Sequence, residues 1–179
     1  MSLKRKNPLK NQIAKQKLSR FPIFADLTSD QLQRVEDILV ENEFNEGEEI
    51  TKEGERGEEL FVLLHGSVEV SKSLTLMVGR GDVDTRDKSL IQLRSENAPY
   101  FGEMAVLRKG SRRSATVKAL ESCSVGIIRR KDLIALCESD KEIGYIVLRN
   151  IAVDLAERLE KANQDILKLT TAFSLALQS

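Results

Sequence analysis

The chain has 179 residues, 41% of them hydrophobic and 31% charged, and its 28 basic and 28 acidic side chains cancel at pH 7. Such a composition fits one ordinary globular domain with an appendage, large enough to bury a core. Its longest uncharged run, Leu169 to Ser179, has 11 residues, short of the roughly 20 that a membrane-spanning helix needs.

Residues 1–24 form a basic leader, with seven Lys or Arg and no acid before Asp26, and a short helix is predicted over 8–20. Such a leader suits a solvated terminus first, and contact with nucleic acid, anionic lipid or an acidic partner second. Thr28-Ser29-Asp30-Gln31 has the spacing of a capping box, and Leu32, Val35, Ile38 and Leu39 follow at helical intervals, so a helix is expected over 29–40. From 43 to 129 short apolar or alternating runs are punctuated by glycines at 47, 54, 57 and 66. Strands are predicted at 74–78, 89–94, 115–119 and 123–129, with 73–89 a long hairpin whose exposed tip lies near 79–87. Many short strands at near-regular spacing predict a small β-roll or jelly roll over 25–138.

A short helix is predicted over 130–138, and Ser139-Asp140-Lys141-Glu142 reads as a second capping box. Residues 139–179 then read as one long helix. Tyr145, Ala152, Leu159, Ile166 and Phe173 recur every seven residues, as do Leu148, Leu155, Ala162, Leu169 and Ala176 three places later. This a/d pattern predicts a homodimer through the helix.

Chemistry-bearing side chains are few. With His65 as the sole histidine, placed just before Gly66 where a turn or strand edge is read, His-rich metal sites, a Ser-His-Asp triad and a Cys-His pair have little to work with, and haem ligands are not arrayed, so no metal and no enzyme are expected. Cys123 and Cys137 fit neither a disulfide framework nor a metal motif, and the N-terminus lacks the apolar core of a signal peptide. A reducing, cytoplasmic setting is therefore expected.

The exception is FGEMAVLRKGSRRSATV, residues 101–117. Gly102 permits close backbone approach, and Glu103 to Leu107 makes one helical turn whose free amides suit an anion. Arg113 and the Ser114 hydroxyl can be aimed at the same anion, the guanidinium through two parallel hydrogen bonds. Glu103 is repulsive to a bare phosphate and needs a donor, such as a ribose hydroxyl beside it. The alternative is that Glu103 only complements the helix dipole and pairs with Arg113 on the surface.

FGEMAVL followed by RSATV resembles the phosphate-binding cassette of the cyclic nucleotide-binding domain family. The preceding GEEITKEGERGEELFVLLHGSVEV, the segment FPIFADL and the last helix extend the likeness over about residues 21–163. The resemblance implies that Glu103 binds the ribose 2′-hydroxyl and that Arg113 and Ser114 bind the cyclic phosphate. Backbone near Gly102, Glu103, Met104, Ala105 and Ala115 would complete the cradle, and Val70 and Leu90 would line the apolar side. On the long helix Arg158 would brace Glu103, while Ala162 and Asn163 would face the base. The implied ligand is cyclic AMP, with cyclic GMP possible, and the implied output is a moved C-terminal helix signalling to a protein effector. Two alternatives stand beside this reading: a ligand-free dimerising scaffold, or a fragment of a catabolite-activator-type regulator. The chain has no room after the long helix for a helix-turn-helix domain, so no DNA reading of that kind is expected.

Overall fold

The computed structural model describes residues 18–78 and 82–177, with backbone alone at 74–78 and 82–87. Most of the helix predicted over 8–20 lies outside the described residues. The first whole elements among the described residues are a 3-10 turn, Pro22–Phe24, and helix α1, Ser29–Ile38. Eight strands follow: β1 Leu39–Phe44, β2 Glu49–Thr51, β3 Glu59–His65, β4 Ser67–Val78, β5 Asp82–Arg94, β6 Tyr100–Phe101, β7 Thr116–Ala119 and β8 Cys123–Arg129. Helix α2, Glu103–Leu107, interrupts them, and α3, Arg130–Ser139, and α4, Lys141–Leu177, close the chain.

Two four-stranded antiparallel sheets result, ordered β1-β8-β3-β6 and β2-β7-β4-β5. Strand β3 explains its own unbroken apolar run. Phe61 and Leu63 point between the sheets with Val68, Val117 and Val125, while Leu60 and Val62 join the helix-side core with Phe24, Val35, Leu133 and Ile143. A strand covered on both faces has no solvent side to mark with polar residues. The expected β-roll with flanking helices is the observed fold.

The capping box at Thr28 is formed reciprocally with Gln31. Its helix ends two residues earlier than predicted, because Leu39 already pairs with Ile128 as the first residue of β1. The second capping box is not the one predicted. Asp140 caps α4, accepting from the amides of Glu142 and Ile143, while the Ser139 hydroxyl donates back to the Leu136 carbonyl. The hairpin is longer and tighter than predicted. Strands β4 and β5 pair from Ser67↔Arg94 to Val78↔Asp82, so strand backbone takes most of the predicted tip; residues 79–81 lie outside the described residues.

Helix α4 has two unlike parts. Ile143, Val147 and Ile151 are buried in the helix-side core. Every residue from 156 to 177 is exposed. Most of the a/d stripe lies on the open side, with Tyr145, Leu159, Ile166, Leu169 and Phe173 each more than 60% exposed, while Leu155 packs against the helix-side core. Among the described residues no helix is long and apolar enough to cross a membrane.

Candidate functional site

Strand β6 delivers the chain to the site through two buried aromatics, Tyr100 and Phe101. Phe101 stacks on Phe61 at 5.0 Å between centroids, fixing the strand against β3. Gly102 then turns the backbone with φ of +84° into α2. A Cβ on Gly102 would lie 2.6 Å from the Glu59 carbonyl oxygen and 2.9 Å from Nη1 of Arg113. Glycine is therefore required here twice, for its left-handed backbone and for the approach of its neighbours.

Arg113 sits in the seat this turn creates. Its side chain is 9% exposed, and its guanidinium lies 5.0 Å over the Phe61 ring. It donates to the Glu59 carbonyl at 2.9 Å and to Glu59 Oε2 at 2.7 Å. Burial pulls its pKa down from the ordinary guanidinium value and Glu59 opposes that shift. Gly57 packs against the opposite flank, where a Cβ would fall 2.2 Å from Nε.

Glu103 does not pair with Arg113. Its buried carboxylate lies 3.5 Å from Nη1 of Arg158, which reaches across from α4 and also holds Asp154 at 2.8 Å. Asp154 in turn accepts from the Tyr100 phenol at 2.6 Å, and Arg158 lies 5.4 Å over the Tyr100 ring. Burial first, and the bond to Asp154 second, push the Tyr100 phenol above its ordinary range. The surface-pair alternative for Glu103 and Arg113 is therefore excluded, since each has a different partner and both are largely out of solvent.

These groups border one cavity of about 600 Å³. Gly102, Glu103, Met104, Ala105, Arg113, Ser114 and Ala115 form its floor, Val70 and Leu90 with Ile91 and Leu93 form an apolar wall, and Arg158 and Ala162 close it from α4. Ser114 is exposed at its mouth and Ala105 is buried. All but one of the site residues predicted from the sequence thus meet at one place.

Asn163 is the exception. It does not line the cavity, whereas Lys161 and Asp165 do. At about 100° per residue Asn163 points roughly 140° away from Arg158, while Lys161, Ala162 and Asp165 stay within about 60° of it. Helical spacing from Arg158 carried that signal. The Glu59–Arg113 and Tyr100–Asp154 pairs, each 54 residues apart, left no sequence signal.

Residues 41–140 match the family model for the cyclic nucleotide-binding domain. The chain belongs to that family. A cAMP-dependent protein kinase regulatory subunit of Debaryomyces hansenii is 30% identical over 106 residues, 59% of this chain and 20% of that protein. The cGMP-dependent protein kinase egl-4 of Caenorhabditis briggsae is 29% identical over 90 residues, 50% of this chain and 11% of that protein. The chain thus spans a fifth or less of the length of these two curated relatives. Among solved structures, the catabolite activator protein of Thermus thermophilus superposes with a TM-score of 0.69 at 24% identity, covering 83% of this chain and 63% of that one. The chain therefore has the fold of a cyclic nucleotide-binding domain. Among its described residues no His, Cys, Asp and Glu side chains gather as a metal site.

Proposed function

We propose that the chain is a sensor of a purine 3′,5′-cyclic nucleotide, with cyclic AMP the favoured ligand and cyclic GMP the second. The observation that carries this reading is the meeting of Glu103, Arg113 and Ser114 on one cavity floor, with α4 across from them. A cyclic phosphate would take the outer donors of Arg113, the Ser114 hydroxyl and the first amides of α2, which have no carbonyl behind them. The free 2′-hydroxyl would donate to Glu103. Met104, Ala105 and Ala115 shape the floor around these contacts, and the apolar wall takes one face of the base.

Binding is proposed to change α4. Arg158 already joins Glu103 to Asp154 on the helix, so a donor arriving at Glu103 alters the field that holds Arg158. A ligand that prefers one helix position shifts the population toward it by its difference in affinity. The exposed a/d stripe on the same helix would then present altered geometry to a second copy of the chain, and through the dimer to a protein effector. The role is one of binding and switching rather than catalysis, in a cytoplasmic setting.

A second reading, a dimerising scaffold without ligand, draws on Glu59, which already holds Arg113. Calorimetric titration of nucleotide-free protein with cyclic AMP and cyclic GMP separates the two. Saturable binding that Arg113→Ala abolishes supports the sensor; heats of dilution alone for both nucleotides leave the scaffold.

A further inference from the structure

We propose that a second cavity, bordered by Lys52, Arg56 and Arg129, binds a small organic phosphate monoester. It measures about 370 Å³, adjoins the first cavity and shares Thr51 and Arg113 with it. The inference stands apart from the cyclic nucleotide reading, because none of Lys52, Arg56 and Arg129 borders the first cavity.

Three parts of the fold bring these cations together. Lys52 follows the last residue of β2, and Arg129 ends β8, where it pairs with Glu59 of β3. Arg56 stands on the loop between β2 and β3. That loop is pinned to the strand entering β7: the Gly54 amide donates to the Arg113 carbonyl at 2.9 Å, and the Arg113 amide donates to the Glu55 carbonyl at 2.8 Å. A pinned loop holds its side chains near one place before any ligand arrives, which lowers the ordering cost of binding. Lys52, Arg56 and Arg129 are all exposed, and none makes a side-chain hydrogen bond or ion pair among the described residues. Of the two carboxylates in the lining, Glu59 is taken by Arg113, so Glu55 alone is left to offset the three.

Three cations against one carboxylate leave a surplus of two positive charges. Like charges gathered around one hollow repel one another, and an anion among them replaces that repulsion with attraction. A phosphate monoester carries a charge of about −1.5 to −2 at pH 7, which matches the surplus, and its three oxygens suit the planar forks of Arg56 and Arg129. The floor calls for more than a bare ion. Phe44, Ile50, Phe61 and Ile127 line it, an apolar surface that inorganic phosphate would leave open and a carbon body would cover.

The test follows backbone amide resonances of the nucleotide-free full chain during titration with phenyl phosphate, inorganic phosphate and uncharged benzyl alcohol. Phenyl phosphate should shift the amides of Ile50, Thr51, Lys52, Ile127 and Arg129 saturably, and should bind about tenfold more tightly than inorganic phosphate. Benzyl alcohol should shift none of them. Arg56→Gln and Arg129→Gln should each weaken phenyl phosphate about tenfold, whereas Glu55→Gln should strengthen it. The gain from Glu55→Gln guards against mistaking a folding defect for a lost contact. Shifts confined to Gly102, Glu103, Ala105 and Ser114 would place the anion in the first cavity and overturn the inference. Absence of saturable shifts, equal affinity for the two phosphates, or affinities unmoved by all three substitutions would overturn it as well.

Discussion

Replacing Gly102 by alanine tests how tightly the turn and Arg113 depend on each other. A φ of +84° costs a residue with a Cβ about 1–2 kcal/mol. The new methyl would also stand 2.6 Å from the Glu59 carbonyl oxygen, 2.9 Å from Arg113 Nη1 and 3.2 Å from the Phe61 ring. All three belong to the seat of the guanidinium, and relief requires moving the carbonyl that holds it. Overpacking of this kind costs about 1–3 kcal/mol, for a total of about 2–5 kcal/mol. In a chain of this size 1 kcal/mol lowers Tm by about 2–4 °C, so a fall of roughly 5–20 °C is expected. Displacing one hydrogen bond from a charged donor should also weaken cyclic nucleotide binding by about 10- to 100-fold. Gly54→Ala is the matched control, because its φ is +81° with nothing within 4 Å of the added Cβ. It should carry only the backbone penalty and leave affinity unchanged. Differential scanning fluorimetry gives the melting temperatures, and calorimetry below both gives the affinities. Equal melting shifts for the two variants, with affinity unaltered in Gly102→Ala, would refute the reasoning.

Three further outcomes are expected. Glu103→Gln should cost cyclic AMP about 10-fold in affinity but leave 2′-deoxy cyclic AMP nearly unaffected; equal losses for both ligands would remove Glu103 from the ribose. Tyr100, raised above the ordinary phenol range by burial and Asp154, stays protonated in the folded chain while the unfolded chain titrates near pH 10. The stability it adds is therefore full below about pH 10 and declines as pH rises beyond it, so Tyr100→Phe should be about 1 kcal/mol less stable at pH 7 and flatter above pH 10. Urea melts at pH 8 and 11 would show this, and parallel losses in the two proteins would disprove it. Ile166→Asp, in the middle of the exposed stripe, should convert the proposed dimer to monomer in sedimentation equilibrium, whereas Gln164→Asp should not.

The parts legible in the sequence were those written in local pattern. Alternation and glycine spacing marked the strands, the Thr28 box marked α1, and the heptad marked α4. The cassette was legible because Gly102 to Ser114 is one continuous stretch whose members meet through a single turn. Other parts depended on distant partners. Leu39 leaves the helix because Ile128 awaits it in β8, and Asp140 rather than Ser139 caps α4 although both are short polar residues at the boundary. Glu59 is one of nine glutamates between residues 41 and 59, and only the fold distinguishes it as the partner of Arg113. Asn163, expected at the base from the resemblance of the long helix, lies off the cavity lining because the helix surface that carries Arg158 advances by threes and fours.

Helix α4 runs for 37 residues, and after Gly144 contains neither proline nor glycine, the usual sites of a kink. It must therefore move as a rod. From Arg158 at the cavity to Leu177 the rod extends about 28 Å, so a tilt of about 10° at the cavity displaces the far end by roughly 5 Å. On the proposed switch, a rearrangement small enough to be absorbed by one arginine side chain would become, at the tip, a lever stroke of about one helical turn.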